Sequence, residues 1–225
     1  MAVKRLAGKI EKIIKETEDV RSFWIKLPEE FDFIPGQFVM LSVPGLDKKG
    51  AFSIGSSPTE FKDRILITVK KVGLLTGKLH EAKAGDEVMI TGPLGEFVFR
   101  EEKNDLVFIA GGTGIVPFRC IINYANDKKL PNRIVLFYSA RTERDIIYSY
   151  EWAKLHTKNT KIIITLTRQE WKGPMGRINE EMIRENVKNL KDPVFYVCGP
   201  QQLVEEVTQK IKNLGYEKIK IDRWR

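Results

Sequence analysis

Three glycines separate a strand-like segment from a helix-like one in LVFIAGGTGIVPFRCII, residues 106–122. The residues at the junction are Gly111, Gly112, Thr113 and Gly114. A helix that begins here offers unpaired N–H groups and the positive end of its dipole, and glycines carry no Cβ atoms to keep a pyrophosphate away. The pattern predicts a phosphate-binding turn, with the Thr113 hydroxyl as a further donor. A turn that uses glycine only for its dihedrals is the alternative, because the spacing fits neither GxGxxG nor GxxxxGKS/T.

Thiol and imidazole groups are too few and too scattered to predict a metal centre. The chain has two cysteines and two histidines, with no CxxC or Cys/His cluster. An iron–sulfur cluster or a structural zinc site needs more ligands, so we expect no metal. Cys198 stands directly before Gly199 and Pro200 at the end of an apolar run. Cys120 lies among helix-like residues, and we expect it to be a small buried side chain.

The composition is that of an ordinary globular protein with an excess of positive charge. The 225 residues are 42% hydrophobic and carry a net charge of +8. No apolar run approaches the roughly 20 residues of a membrane helix, and MAVKRLAGKIEK lacks the apolar core of a signal peptide. We therefore expect a cytoplasmic protein without a membrane span. The lysines form no basic tract, which argues against nucleic-acid binding, whereas an anionic cofactor or an acidic protein partner would suit the charge.

The first hundred residues predict an antiparallel β domain. Short β-rich runs are separated by turn signals such as IPGQF and KAGDE. The runs are LAGKIEKIIKET, RSFWIKL, QFVMLSV, AFSIGSS, RILITVKKV and DEVMITG. Strands so close together along the chain favour an antiparallel barrel or sandwich.

After the charged segment EEKND, residues 101–105, strands alternate with helices. Apolar runs predict strands at 106–110, 134–139, 161–166 and 193–198. Amphipathic spacing predicts helices near 115–127, 145–155, 179–188 and 200–213. This alternation is typical of a parallel sheet in an α/β domain, which binds ligands at the carboxyl ends of its strands. We therefore divide the chain into domains at 1–102 and 103–225.

Five stretches, in order, resemble the ferredoxin–NADP⁺ reductase-like flavoenzymes and together extend over nearly the whole chain. PGQFVML resembles the barrel strand before the flavin motif, and AFSIGSSP resembles the flavin-binding segment R-x-Y/F-S-x-x-S. VGLLTGKL, followed by AGDEVMITGPLGEF, resembles the flavin-phosphate loop and the closure of the barrel. GGTGIVPF, which includes Pro117, and VFYVCGPQQLVEEV resemble the two pyridine-nucleotide motifs. The resemblance implies an N-terminal antiparallel Greek-key β-barrel for flavin and a C-terminal parallel-sheet α/β domain for the nucleotide.

The resemblance implies that Phe52 lies along the isoalloxazine ring and that Ser53 faces the flavin N5. An ordinary strand with Phe52 in the core is the alternative. Gly50 stands where the family has an arginine that pairs with the flavin phosphate. Either Lys48 or Lys49 replaces that arginine as a point charge, or the flavin binds weakly and dissociates.

The same resemblance implies further flavin contacts after the fifth strand-like run. Gly73 and Thr76 match the family's phosphate-binding G-x-x-S/T. Lys70, at the end of ILITVK, is a candidate contact with the flavin. Thr76 as a simple helix cap is the alternative, and both roles are compatible.

Polar residues that follow two of the predicted parallel strands are implied to line the adenosine side of the nucleotide. They are Ser139, Arg141, Thr167 and Arg168. NAD-binding folds often present an acid about 20 residues past the glycine turn, but the corresponding stretch, IVLFYSA, contains none. Because the family binds a 2′-phosphate with a Ser/Thr–Arg pair, Arg168 favours NADPH, with NADH as the alternative. A solvated loop residue is the plain interpretation of each arginine.

The resemblance also implies the catalytic groups. The C-G-P motif that begins at Cys198 would lie beside the nicotinamide C4 and the flavin N5, together with Ser53. Asp222 and Trp224 match the family's ending of an acid, one residue and an aromatic, with Asp in place of the usual Glu. Trp224 would stack on the flavin until nicotinamide displaces it. A buried thiol and a frayed tail are the alternatives.

The sequence therefore predicts a flavin-dependent oxidoreductase that passes hydride from NADPH or NADH to bound FAD, or alternatively FMN. The electrons would go to a small molecule or to a protein, for which an acidic ferredoxin or flavodoxin-like partner is suitable. One alternative is a free-flavin reductase, which Gly50 favours. Another is an electron-transfer subunit of a larger redox complex. A nucleic-acid-binding module is suggested by charge alone.

Overall fold

The computed structural model describes residues 2–155 and 158–224, except for the side chain of Trp224. Packing divides the chain into two units. The first contains the residues up to Arg100 together with Val116–Asp127. The second contains Glu101–Ile115 and the residues from Lys128 onward. The domain limits 1–102 and 103–225 stay a prediction.

The first unit is an antiparallel sheet that is nearly closed into a barrel. Its elements are β1 (Lys4–Lys15), β2 (Val20–Lys26), β3 (Phe38–Ser42), β4 (Gly50–Ser53), β5 (Arg64–Lys70), α1 (Leu74–Glu81) and β6 (Glu87–Leu94). The strand order is β4-β3-β6-β1-β2-β5. An antiparallel bridge between Ile54 and Ile67 joins the two ends of this order. The predicted barrel is confirmed, and each β-rich run forms one of its strands.

The barrel is filled by β-branched, leucine and phenylalanine side chains. Core residues that are at most 1% exposed include Phe23, Val39, Ile54, Ile67 and Ile90. Cys120 belongs to the same cluster although it lies in Val116–Asp127. Burial raises the pKa of the Cys120 thiol to about 12. Cys120 is therefore a protonated, small buried side chain, as the sequence predicted.

The second unit is built on a parallel sheet with the order β11-β10-β7-β8-β9. Its strands are β7 (Leu106–Gly111), β8 (Ile134–Ala140), β9 (Thr160–Leu166), β10 (Val194–Pro200) and β11 (Ile219–Trp224). The helices after α1 are α2 (Val116–Asp127), α3 (Ser149–Lys154), α4 (Glu180–Val187) and α5 (Gln201–Asn213). The predicted parallel sheet is confirmed. Strand β11 was not predicted, because IKIDRW carries three charged residues and lacks the continuous apolar run by which the other parallel strands were identified; it pairs with β10 alone at the edge of the sheet.

One buried carboxylate fixes the amino ends of the central strands. Asp105, just before β7, accepts hydrogen bonds from the backbone N–H groups of Arg133 (3.0 Å) and Lys191 (2.6 Å) and from the Arg133 Nε (2.9 Å). Burial alone would raise the pKa of Asp105, but the bonds from Arg133 and Lys191 outweigh it and hold the pKa below its usual value. Asp105 is therefore an ionised structural anchor.

The strand order reverses between β7 and β10, because the chain runs outward from β7 to β9 and then returns to the other side of β7. Such a reversal opens a crevice at the carboxyl ends of the strands, where α/β proteins bind ligands. Among residues 2–155 and 158–224, no helix is long and apolar enough to cross a membrane. Within the same ranges, no group of three or more His, Cys, Asp and Glu could hold a metal ion.

Candidate functional site

The glycine turn lies at the reversal point of the parallel sheet. Gly111 ends β7, and Gly112–Ile115 forms a 3₁₀ turn that leads into α2. Gly112 has a φ of +56°, and a Cβ atom there would meet nothing within 4 Å. A Cβ atom on Gly114 would lie 2.1 Å from the carbonyl oxygen of Cys198. Gly114 therefore allows close packing on β10, whereas Gly112 leaves an open face to which a phosphate can come.

A cavity of about 180 Å³ opens beside this turn, at the carboxyl ends of β8, β9 and β10. Ser139, Thr167 and Pro200, three of the predicted nucleotide residues, line it. Arg141 and Arg168 do not line it; both are exposed, and the Arg168 N–H donates to the Arg141 carbonyl (2.9 Å). The structure thus groups part of the predicted adenosine site in one cavity and leaves its two arginines outside.

The cavity also contains a charged pair that the sequence analysis missed. Arg177 donates to the Oε1 of Glu206 (2.6 Å), and Gln202 donates to the same oxygen (2.9 Å). The hydrogen bond from Arg177 lowers the pKa of Glu206, so this carboxylate is ionised at neutral pH. No local sequence pattern indicates this ion pair, because Arg177 lies in a loop and Glu206 lies on the surface of α5.

Cys198 and Asp222 occupy paired positions on the neighbouring strands β10 and β11. The Cys198 thiol is fully buried, and its Sγ lies 3.8 Å from the Asp222 Oδ2 as a hydrogen-bond donor. Burial, followed by the nearby carboxylate, raises the pKa of Cys198 well above its usual value. Burial also raises the pKa of Asp222. The pair is therefore a protonated thiol beside a half-buried carboxyl group.

The backbone of Trp224 continues this row. Trp224 pairs with Pro200, two positions beyond the Cys198–Asp222 pair. The Trp224 side chain lies outside the described residues, so its stacking on the flavin stays a prediction.

The predicted isoalloxazine contacts lie on β4 of the barrel. Phe52 and Ser53 pair with Val39 and Phe38 of β3, and both are half-buried. A Cβ atom added to Gly50 would lie 2.8 Å from the Phe52 ring and 2.9 Å from Leu75 Cδ2. Phe52 and Leu75 therefore occupy the space beside residue 50 that the side chain of an arginine would need.

The predicted phosphate loop caps α1. The Thr76 Oγ1 accepts hydrogen bonds from the N–H groups of Val72 and Gly73 (2.9 Å each) and donates to the Gly73 carbonyl (3.0 Å). The capping role is thus observed, and phosphate binding by Thr76 stays a prediction. Val72 and Leu74, on either side of Gly73, are 77% and 57% exposed. This exposed apolar surface is suited to a flat ring system.

Lys70, the last predicted flavin contact, is engaged with a neighbouring carboxylate. Its Nζ lies 3.1 Å from Asp19 Oδ2. Burial alone would raise the pKa of Asp19, but the hydrogen bond from Lys70 outweighs it and lowers the pKa. Lys70 would have to share its charge between Asp19 and a flavin phosphate.

A second charged group missed by the sequence analysis is Arg119 on α2, which is 5% exposed. Its Nη1 donates to the Gly55 carbonyl (2.8 Å), and both terminal nitrogens donate to Glu60 (3.1 Å each). Glu60 also accepts from the Ser57 N–H (2.6 Å). Arg119 therefore holds the segment that directly follows Ser53. Its one signal in the sequence is a charged residue inside an apolar helix.

Comparisons with known proteins agree with this architecture. Residues 7–99 match the oxidoreductase FAD-binding domain model, and residues 108–209 match the oxidoreductase NAD-binding domain model. The chain is 33% identical over 221 residues to sulfhydrogenase 1 subunit gamma of Pyrococcus furiosus, with 92% of this chain and 75% of that one covered. It is 32% identical over 214 residues to a probable dihydroorotate dehydrogenase B (NAD(+)), electron transfer subunit, of Pyrococcus abyssi, with 93% and 76% covered.

Solved structures share the fold. A ferredoxin NADP⁺ reductase from Neisseria gonorrhoeae with bound FAD and NADP superposes with a TM-score of 0.85 at 21% identity, covering 98% of each chain. Amycolatopsis cytochrome P450 reductase GcoB superposes with a TM-score of 0.88 at 23% identity, covering 98% of this chain and 70% of that one. These identities show a common fold and carry no statement about substrate.

The two domain models and the fold together define an oxidoreductase that binds FAD and a nicotinamide nucleotide. The chain belongs to the ferredoxin–NADP⁺ reductase-like flavoprotein reductases. The resemblance, the fold class, the enzyme class and the two cofactor types are thereby confirmed. The choice between NADH and NADPH and the roles of individual residues stay predictions.

Proposed function

We propose that this chain oxidises NAD(P)H through bound FAD and serves as the electron-transfer subunit of a larger redox complex. The observation that carries the proposal is the buried Cys198–Asp222 pair, which lies on β10 and β11 beside the glycine turn. The names of the two Pyrococcus relatives, a sulfhydrogenase subunit and an electron transfer subunit, support a role within a complex.

The barrel offers groups that fit FAD. Phe52 and the exposed Val72 and Leu74 provide apolar surface for the ring system, and the amino end of α1 provides N–H groups for phosphate. FAD, when bound, takes up a hydride and releases electrons singly or as a pair. The Ser53 hydroxyl can hydrogen-bond the ring edge without blocking a hydride donor.

The second unit offers groups that fit the nucleotide. Gly112 exposes backbone to a pyrophosphate, and the cavity lined by Ser139 and Thr167 is suited to an adenosine. Cys198 keeps its proton at neutral pH and donates to Asp222, which fixes the orientation of the thiol. Neither group has to act as a general base, because hydride transfer needs none.

The acceptor is proposed to be an acidic ferredoxin, a flavodoxin-like protein or a partner subunit of the complex. The net charge of +8 favours encounter with an acidic surface and makes the rate of encounter dependent on salt. Cys120 and Cys198 are both free and buried, which suits a reducing compartment, and we propose that the protein acts in the cytoplasm.

The test is anaerobic stopped-flow reduction of the purified protein by NADH and NADPH. We expect a yellow protein with stoichiometric FAD that is bleached by at least one of the two nucleotides. Ser53→Ala should slow hydride transfer by about ten- to a hundredfold, the range for lost alignment, without changing nucleotide affinity. Ser42→Ala, in the same barrel, is the matched control. A colourless protein, or flavin that no nucleotide reduces, would contradict the proposal.

A free-flavin reductase remains the second candidate, because Gly50 removes a charge-assisted contact worth about 1.5–3 kcal/mol. Gel filtration at low protein concentration separates the two functions. A free-flavin reductase loses its flavin and needs added flavin for turnover, whereas the proposed subunit retains it. Gly50→Arg should not simply strengthen flavin binding, since its Cβ would meet the Phe52 ring at 2.8 Å.

The proposed role of Trp224 is also open to experiment. If its side chain covers the flavin, Trp224→Ala should tighten nicotinamide binding, perturb the flavin absorbance and slow product release. If the affinity for nicotinamide and the flavin spectrum are both unchanged, Trp224 does not cover the flavin.

A further inference from the structure

We infer that Glu206 is the residue by which this chain rejects the 2′-phosphate of NADPH, so that the nucleotide it selects is NADH. The inference rests on the proposed function, because it takes the cavity beside the glycine turn as the adenosine site. The residue that selects NADH over NADPH would then lie on α5, whereas the sequence predicted such a residue at the ends of β8 and β9.

The cavity and the glycine turn share residues. A Cβ atom on Gly111 would lie 2.6 Å from Leu203 Cδ1 and 3.4 Å from Pro200 Cδ. Leu203 and Pro200 also line the cavity. A nucleotide whose pyrophosphate lies at the open face of Gly112 therefore has this cavity as the adjoining place for its adenosine.

The charges in the cavity cancel. Arg177 and Glu206 are the ionisable residues of its described lining, and they form an ion pair at 2.6 Å. The guanidinium is thus already occupied, and the donor Gln202 holds the same carboxylate oxygen in place. A 2′-phosphate would meet the Glu206 carboxylate and would have to take Arg177 away from it. A ribose 2′-hydroxyl would instead meet an acceptor, which is how an acid selects NAD in related folds.

The other nearby cations do not line this cavity. Lys210 acts on Glu206 from outside the lining, and its Nζ donates to the Ile178 carbonyl (2.9 Å). Arg141 and Arg168 are exposed at the same strand ends but do not line it. The polar groups of Ser139 and Thr167 are neutral, and the Thr167 hydroxyl donates to the Ala140 carbonyl (3.3 Å). The described lining therefore has no net charge with which to bind a phosphate that carries one to two negative charges.

The experiment compares two adenine nucleotides by isothermal titration calorimetry on the full-length protein. The probes are adenosine 5′-monophosphate and adenosine 2′,5′-bisphosphate, which differ only in the group at the 2′ position. Wild-type protein should bind the monophosphate more tightly. In Glu206→Gln, we expect affinity for the bisphosphate to rise about tenfold while affinity for the monophosphate stays within about twofold, because one repulsive charge is gone and Arg177 is released.

Two further variants make the result specific. Arg177→Met leaves Glu206 without its cation, so the bisphosphate should bind more weakly than to wild type. Glu205→Gln removes the same charge from the same helix, but Glu205 contacts Gln201 and Arg223 and does not line the cavity. That control should leave the ratio of the two affinities unchanged. The ratio of kcat/KM for NADH over NADPH should fall in Glu206→Gln alone.

Several outcomes would overturn the inference. They are tighter bisphosphate binding by wild-type protein, a parallel change for both probes in Glu206→Gln, no change for either probe, or an equal change of the ratio in Glu205→Gln. If neither probe binds while NADH still bleaches the flavin, the cavity is not the adenosine site and the proposed function stands. If no nucleotide reduces the flavin, the proposed function itself fails.

Discussion

Cys198 and Asp222 face each other across two neighbouring parallel strands, with the thiol sulfur 3.8 Å from a carboxylate oxygen. The pKa of each group is raised, in both cases chiefly by burial. A parallel edge strand thus brings the last residues of the chain next to the C-G-P motif. The pair therefore depends on β11 being in register, which the sequence pattern did not predict.

The first prediction concerns the pH dependence of stability in Asp222→Asn. Because the folded pKa of Asp222 is raised, its stabilising contribution is present at low pH and is lost as the pH rises through the folded pKa. The variant should therefore gain stability relative to wild type as the pH rises from about 4, near the pKa of an unfolded aspartate, until the folded Asp222 is ionised. Thermal denaturation at several pH values measures this, and a difference that does not vary with pH would contradict it.

The second prediction separates the two roles of glycine in the turn. Gly112→Val should abolish reduction by NAD(P)H at normal FAD content, because a β-branched residue is strained at φ +56° and would occupy the open face. Gly114→Ala should instead destabilise the fold, since its Cβ would lie 2.1 Å from the Cys198 oxygen. Flavin content, melting temperature and nucleotide titration distinguish the two. Loss of FAD in Gly112→Val with intact nucleotide binding would refute the assignment of the turn.

The third prediction concerns Arg168, which the sequence favoured as the contact for a 2′-phosphate. Because its side chain does not line the cavity, we expect Arg168→Ala to change NADH and NADPH affinity equally. A selective loss of NADPH affinity by about 1.5–3 kcal/mol, the worth of a charge-assisted hydrogen bond, would restore the original prediction and contradict the role of Glu206. Equilibrium titration with both nucleotides decides between them.

The fourth prediction concerns the anchor at Asp105. Asp105→Asn should lower the free energy of unfolding at pH 7 by about 1.5–3 kcal/mol, because the donors Arg133 and Lys191, before β8 and β10, lose a charged acceptor. The pKa of Asp105 is depressed, so its contribution is present above the unfolded pKa and is lost as the pH falls through the folded pKa. The two proteins should therefore converge in stability in acid, as measured by denaturant unfolding. The exposed pair of Asp192 and Lys218 provides the control, and Asp192→Asn should have little effect.

The fifth prediction concerns Arg119. Arg119→Met should cost about 3–5 kcal/mol of stability, the range for breaking a buried ion pair, and should weaken FAD binding, because the segment after Ser53 loses its support. The stability of Arg119→Lys should lie between that of Arg119→Met and that of wild type, since lysine keeps the charge but loses the bidentate contact. A double-mutant cycle with Glu60→Gln measures the coupling. Additive effects would show that Arg119 and Glu60 act independently.

The regular elements could be predicted because their signals are local. The strands of the barrel and the alternation after residue 105 follow from apolar period and turn residues. The missed features depend on residues far apart in the sequence. Glu206 and Arg177 meet because α5 packs beside the loop after β9, and Arg119 meets Glu60 across more than fifty residues. Counting positions from Gly114 looks for an acid at the end of a strand, and so it could not find Glu206, which lies on a helix. The charged edge strand β11 could not be distinguished from an irregular chain end by its sequence.

The placement of α2 limits how this protein can be divided. The helix packs with the barrel, whereas the segments before and after it belong to the parallel-sheet unit. A single cut near residue 102 would give a barrel fragment without Arg119 and Cys120, with a hole in its core and an unpaired Glu60. Chimeras that exchange the flavin module between relatives should therefore graft residues 116–127 together with residues 1–100. By the same reasoning, recombination at a single crossover near residue 102 would separate residues 1–100 from the helix at 116–127, although the two parts form one packed unit.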